Sequence, residues 1–153
     1  MGKKVLVAGT FDLIHPGHVR LLQEAKKLAG EDGQLVVVVA RDINVRKFKG
    51  RDPILSEDER LEIVKNLKPV DRAILGDLDD PLIPIYRERP DLIALGYDQW
   101  ADEEWLREEL ARRWNLTPEV VRLKKFSCRD DSSSEIIRRI LSMFCRSSGG
   151  EDP

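Results

Sequence analysis

Histidine, cysteine and the neutral amides are all scarce in this chain of 153 residues, which has two histidines, two cysteines, three asparagines and three glutamines. Each scarcity excludes something. Two thiols, Cys128 and Cys145, cannot build a disulfide scaffold, and in a reducing compartment they are more often free than bridged. A structural zinc site usually takes four ligands, and both histidines belong to another motif, so no metal-ligating residues are assigned. No apolar run approaches the roughly 18 residues of a membrane-crossing helix. There is no surplus of positive charge: 26 Lys and Arg stand against 28 Asp and Glu, for a net charge of -2. A general nucleic-acid binder would carry a basic excess, so no nucleic-acid partner is expected. The dinucleotide pattern G-x-G-x-x-G is absent, as is any Ser-His-Asp or Cys-His set around a nucleophile. Few amides with 35% charged residues is a balance found in heat-adapted proteins. A soluble, cytoplasmic protein without membrane contact is the expectation.

What is present is concentrated near the N-terminus. The apolar run Val5-Leu6-Val7-Ala8 reads as a buried parallel strand. It passes through Gly9-Thr10-Phe11-Asp12-Leu13-Ile14 into His15-Pro16-Gly17-His18, which holds both histidines of the protein. Pro16 suits a first helical turn, where its missing N–H costs nothing. Val19, Leu21, Leu22, Ala25 and Leu28 then recur at helical spacing, with Arg20, Glu24 and Lys27 on the other side. A strand thus feeds a helix N-terminus through a glycine-bearing turn. Free N–H groups and the positive end of the helix dipole would converge there, which is the environment that binds a phosphate. Two imidazoles three residues apart could add donors to phosphate oxygens near neutral pH.

The rest of the chain continues in alternating strands and helices, as an α/β fold requires. Residues 35–40 form a second apolar, β-branched strand, residues 71–76, 91–96 and 119–123 three shorter ones, giving a five-stranded parallel sheet. Residues 41–55 read as a polar, basic loop with Arg41, Arg46, Lys47, Lys49 and Arg51, a flexible cationic flap over phosphates. Ser56 and Glu59 make a capping box for the next helix, with Arg60 in its first turn, where a cation opposes the dipole unless it serves something else. A short helix spans residues 79–89. Asp98 falls at a strand's carboxyl end, placed either to meet a nucleotide or to N-cap the helix over 101–114. Trp105, Leu106, Leu110 and Trp114 on that helix suit core or a dimer surface. Ser132, Ser133 and Ser134 precede a last apolar-periodic helix and put hydroxyls at another helix N-terminus. One domain over residues 1–146 is expected, with a disordered tail over 147–153.

Gly9-Thr10-Phe11-Asp12 with His15-Pro16-Gly17-His18 resembles the GTFDxxHxGH signature of the cytidylyltransferase-like nucleotidyltransferases. That resemblance implies a Rossmann-like three-layer α/β/α fold and transfer of a nucleoside monophosphate from an NTP to a phosphate, with release of pyrophosphate. It implies that Thr10 and Phe11 line the nucleotide with their backbone, beside Pro16 and Gly17, and that His15 and His18 hold the phosphates through the transition state. It further implies that Lys47 assists, that Arg60 steers phosphate, and that Ser132, Ser133 and Ser134 occupy the place of an ISTT-type motif around the outer phosphates. The accompanying cationic role stays open among Lys124, Lys125 and Arg129. Within the family the chain is similar to archaeal FAD synthases over nearly its whole length, through Val39-Ala40-Arg41-Asp42, Lys47-Phe48-Lys49-Gly50-Arg51, Leu67-Lys68-Pro69-Val70-Asp71 and Leu95-Gly96-Tyr97-Asp98-Gln99. The implied reaction joins ATP and FMN to give FAD, in a homodimer, with a magnesium ion held mainly by the nucleotide phosphates. In that group, thiols late in the chain are shared, so a redox-sensitive pair stands beside the reading of Cys128 and Cys145 as buried apolar side chains. Glycerol-3-phosphate cytidylyltransferase, which shares the first turn and a Gly-x-Asp-x-Trp segment, is the alternative enzyme. A nucleotide-binding sensor without catalysis is the alternative of another class.

Overall fold

Long β-branched runs leave a chain no amphipathic choice but to bury both faces of a sheet, and here they do. The computed structural model describes residues 2–126 and 132–145. Its elements alternate as β1 (Lys4–Gly9), α1 (Pro16–Ala29), β2 (Gln34–Val39), α2 (Asp42–Lys49), α3 (Glu57–Lys65), β3 (Arg72–Leu75), α4 (Ile83–Glu88), β4 (Leu92–Leu95), α5 (Glu103–Trp114), β5 (Glu119–Arg122) and α6 (Ser133–Phe144). The five strands are all parallel in the order β3-β2-β1-β4-β5.

Side chains alternate across a strand, so neighbours in β1 serve different cores. Val5 and Val7 join Leu22 of α1, Val64 of α3 and Leu35, Val37 and Val39 of β2 on one face. Leu6 joins Val38, Leu82, Ile85 of α4, Ile93, Leu95 and Leu106 and Leu110 of α5 on the other. This is the expected three-layer α/β/α sandwich. Because the chain order reverses between β1 and β4, their carboxyl ends border the crevice where α/β sheets of this kind receive ligands.

Several local expectations need correction. Residues 42–49 are a helix, α2, not a loop, closed by Gly50 in the left-handed conformation at φ 74°. Its N-terminus is satisfied from another element: a Glu57 carboxylate oxygen accepts the Asp42 N–H at 2.8 Å. The cap of α5 is Asp102, which accepts from the Trp105 N–H, so Asp98 does not cap that helix. The α4 helix is shorter than residues 79–89, because Pro84 fits only its first turn. Ser56 and Glu59 form the expected capping box of α3. No helix among the described residues is long and apolar enough to cross a membrane. Cys145 is exposed and free, which corrects its reading as a buried side chain. Cys128, Arg129 and the tail over 147–153 lie outside the described residues.

Candidate active site

A turn that must present backbone and imidazoles at one point needs a rigid foundation, and the residues after β1 build one. Phe11 and Leu13 both adopt left-handed φ angles, 55° and 54°, which non-glycine residues accept only where the surroundings enforce them. Packing enforces the first. The Phe11 ring is buried in the core and lies over Gly9, where a Cβ would stand 2.9 Å from it. Phe11 therefore faces the core, and what it offers outward is backbone.

Asp12 supplies a second constraint that the sequence did not disclose. Its buried carboxylate accepts the N–H groups of Ile54 and Leu55 at 2.7 and 3.0 Å, tying the segment before α3 to the turn. Arg60 is the third. It is completely buried, and its guanidinium donates to Leu55 O at 3.0 Å, Thr10 O at 2.8 Å and the Asp42 carboxylate at 2.6 Å. Arg60 does not reach solvent, so it is a strut beneath the turn and not a phosphate-steering group.

The two histidines cap α1 reciprocally. His15 Nδ1 accepts the Gly17 N–H at 3.1 Å, and His18 Nδ1 accepts the His15 N–H at 3.3 Å. The rings lie 3.9 Å apart between centroids, and His18 also tilts against Phe11 at 5.4 Å. This modifies the expectation of free N–H groups at the helix start. Gly17 N–H is taken by the His15 ring, and the N–H groups of His18 and Val19 both reach His15 O. Since Nδ1 of each ring is an acceptor, a neutral imidazole must carry its proton on Nε2 and can donate there. Burial holds the His18 pKa down at about 3, and the charges of His15 and Lys49 push the same way while Asp12 opposes them. His18 is thus a neutral donor at physiological pH.

The Lys49 charge is the one from α2 that His18 feels. Lys47 is exposed two residues earlier, and residues at that spacing do not share a helix face. From the other end of the chain, Ser133 Oγ donates to Asp12 O, which brings the start of α6 against the turn. Ser132 caps α6 by accepting from the Glu135 N–H at 3.1 Å, and Ser134 is exposed. The structure therefore joins Thr10, Phe11, His15, Pro16, Gly17 and His18 with the Ser132–Ser133 cap in one cluster.

Asp98 lies in the loop after β4, exposed at the carboxyl edge. The order of that loop comes from other residues. Gln99 Nε2 donates to Ala8 O at 3.0 Å while its Oε1 accepts the Gly96 N–H at 3.0 Å. Arg122, at the end of β5, donates to Gly96 O at 3.0 Å and Gln99 O at 3.2 Å and pairs with Glu103 at 2.8 Å. Among the described residues no three His, Cys, Asp or Glu side chains are grouped to hold a metal. The Asp12 carboxylate, nearest the histidines in sequence, is occupied by two backbone N–H groups.

Known proteins resemble this chain over most of its length. The chain is 62% identical over 147 residues to a FAD synthase of Korarchaeum cryptofilum, covering 96% of this chain and 97% of that one. It is 56% identical over 142 residues to a FAD synthase of Ferroglobus placidus, covering 92% and 90%. A crystal structure described as the lipopolysaccharide core biosynthesis protein of Thermoplasma volcanium superposes with a TM-score of 0.76 at 42% identity, over 82% of this chain and all of that one. The cytidylyltransferase-like family model matches residues 6–140, which include both histidines and the serine cap. The chain belongs to the cytidylyltransferase-like family of nucleotidyltransferases.

Proposed function

We propose that the protein is an FMN adenylyltransferase of the cytoplasm, joining ATP and FMN to give FAD and pyrophosphate. The observation that carries the reaction type is the His15–His18 pair, both rings held through Nδ1 at the N-terminus of α1, just beyond the carboxyl end of β1. The choice of FMN and ATP rests on identity of 62% and 56% over most of the chain to proteins named FAD synthase.

A phosphate oxygen of FMN attacks the α-phosphorus of ATP in line. One P–O bond forms, the bond between the α-phosphorus and the bridging oxygen breaks, and pyrophosphate leaves with the electron pair. Such a transfer needs no covalent enzyme intermediate, and its catalysis is positioning plus stabilisation of charge on the equatorial oxygens. In this reading His15 and His18 donate from Nε2 to those oxygens, and the N-terminal dipole of α1 adds to them. Thr10 and Phe11 contribute backbone, with Pro16 and Gly17 leaving room for the chain to come close. Lys49 of α2 brings cationic charge, and Ser132, Ser133 and Ser134 receive the outer phosphates. Asp98 is the carboxylate available to the nucleotide from the β4 side.

Magnesium would be carried by the triphosphate and not by a resident cage, as suits an ion that prefers water and phosphate ligands. Bound there, it would neutralise part of the phosphate charge. We also propose a homodimer, supported by the exposed apolar side of α6.

The deciding experiment measures pyrophosphate release from ATP or CTP, each offered with FMN or glycerol 3-phosphate, with magnesium and reductant present. Turnover of ATP with FMN, yielding FAD, is the expected result. Turnover confined to CTP and glycerol 3-phosphate would make the protein a polyol-phosphate cytidylyltransferase, and binding without release would make it a sensor. In the same assay His18→Ala is expected to lower turnover by about two decades or more with the fold intact.

A further inference from the structure

We propose that Phe48 and Trp100 form the stacking platform for the flavin ring of the acceptor; this rests on the FMN reading above and adds where the ring is held. Phe48 near the end of α2 is 68% exposed, and Trp100 in the loop after β4 is 56% exposed. Large aromatic faces left in water beside an active site mark a surface that a ligand covers. The two rings come from separate segments yet lie nearly parallel, 16° apart, with centroids 6.4 Å from each other. Trp105 of α5 braces Trp100 from the side, tilted by 58° at 5.3 Å.

The platform is preorganised. The loop bearing Trp100 is held by the Gln99 amide on Ala8 O and by Arg122 on the carbonyls of Gly96 and Gln99. Phe48 is placed by α2, whose first turn is fixed through Asp42 by Glu57 and Arg60. A ring landing here meets surfaces already in position, so little ordering cost opposes binding.

Both halves of the platform also connect to the phosphate turn. Lys49, adjacent to Phe48, exerts its charge on His18, and Gln99, adjacent to Trp100, bonds to the carbonyl of Ala8 on β1. A flat ring at one end and phosphate chemistry at the other is the outline of a flavin mononucleotide. An apolar cavity of about 70 Å³ opens beside Trp100, lined by Ala8, Leu82, Leu95 and Gln99 among others. It is too small for the tricycle but suited to its methyl-bearing edge.

The test uses the full-length protein and riboflavin, which has the ring without the phosphate and whose fluorescence is quenched when it stacks on indole. Wild type is expected to quench riboflavin saturably. Trp100→Ala and Phe48→Ala are expected to weaken that binding and raise the KM for FMN about tenfold or more, with the KM for ATP within about twofold. Trp100→Phe should recover most of the loss. Both side chains are exposed, so circular dichroism should show the variants folded. A raised KM for ATP with an unchanged KM for FMN would overturn the proposal in favour of adenine stacking. Unchanged values for both substrates, or no riboflavin quenching by a wild type that does turn over FMN, would also overturn it while leaving the reaction intact. No FMN turnover by wild type would overturn the FMN reading and this proposal together.

Discussion

His18 Nδ1 accepts a backbone N–H, so this ring gains nothing from a second proton and would lose its capping bond by taking one there. Burial reinforces the preference and sets a direction for pH dependence. With a pKa of about 3 in the fold against 6.5 for an ordinary histidine, the unfolded chain binds a proton between these values that the folded chain does not. Stability from this group is therefore complete above pH 6.5 and is lost as pH falls toward 3. With only two histidines in the chain, the two imidazole Cε1–H signals are readily resolved by NMR. In ligand-free protein the His18 signal should stay still between about pH 8 and about pH 5. Adding ATP should move its midpoint upward, because a triphosphate beside the ring favours the cation. A midpoint near the ordinary histidine value without ligand would remove the neutral-donor role.

At the scale of elements, Arg60 shows how a sequence can reveal an anomaly without its cause. A cation in the first turn of α3 opposes the helix dipole, which marks the position as unusual from sequence alone. The cause is non-local: Thr10 O, Leu55 O and the Asp42 carboxylate converge on one guanidinium from three segments. Arg60→Met keeps the volume but leaves Thr10 O and Leu55 O without their donor, while the half-exposed Asp42 carboxylate can turn to water. Urea denaturation should show a loss of about 1–3 kcal/mol, the cost of leaving buried acceptors unsatisfied. Arg60→Lys should lose less, since it keeps the charge but not the fork that reaches three acceptors. If Arg60→Met matches wild type in stability, the strut role is wrong.

The same non-local logic explains which elements were legible. β1, α1, β2 and α3 carry their own signals: continuous apolar runs, Pro16 at a helix start, the Ser56–Glu59 box. The α2 helix carries almost none. It buries one residue, Val45, its cap residue Arg41 makes no side-chain cap bond, and Glu57 closes its N-terminus from outside. Asp12 and Gln99 are likewise ordinary polar residues in sequence, and their roles exist only because Ile54, Leu55 and Ala8 come to them. Asp102, which caps α5 where Asp98 does not, carries a local cue: it is followed by Glu103 and Glu104, the acidic first turn that a helix start favours.

At the scale of the whole molecule, α6 is the element whose environment is incomplete. Ser133 anchors its start to the turn after β1, but none of its residues is buried. Ile140, Leu141, Met143 and Phe144 are 47, 53, 61 and 75% exposed, a contiguous apolar surface of the kind monomers rarely leave uncovered. A second copy can cover it, because the same α6 surface can meet itself about a twofold axis. Light scattering on the purified protein should give the mass of two chains. Leu141→Glu with Phe144→Glu should give one, because a carboxylate buried in that contact would have no partner. As the turn after β1 meets the opposite end of α6, the double variant should keep pyrophosphate release within about threefold of wild type if each proposed site is self-contained. A single-chain mass for wild type at assay concentration would end the dimer proposal and leave the α6 surface to another occupant.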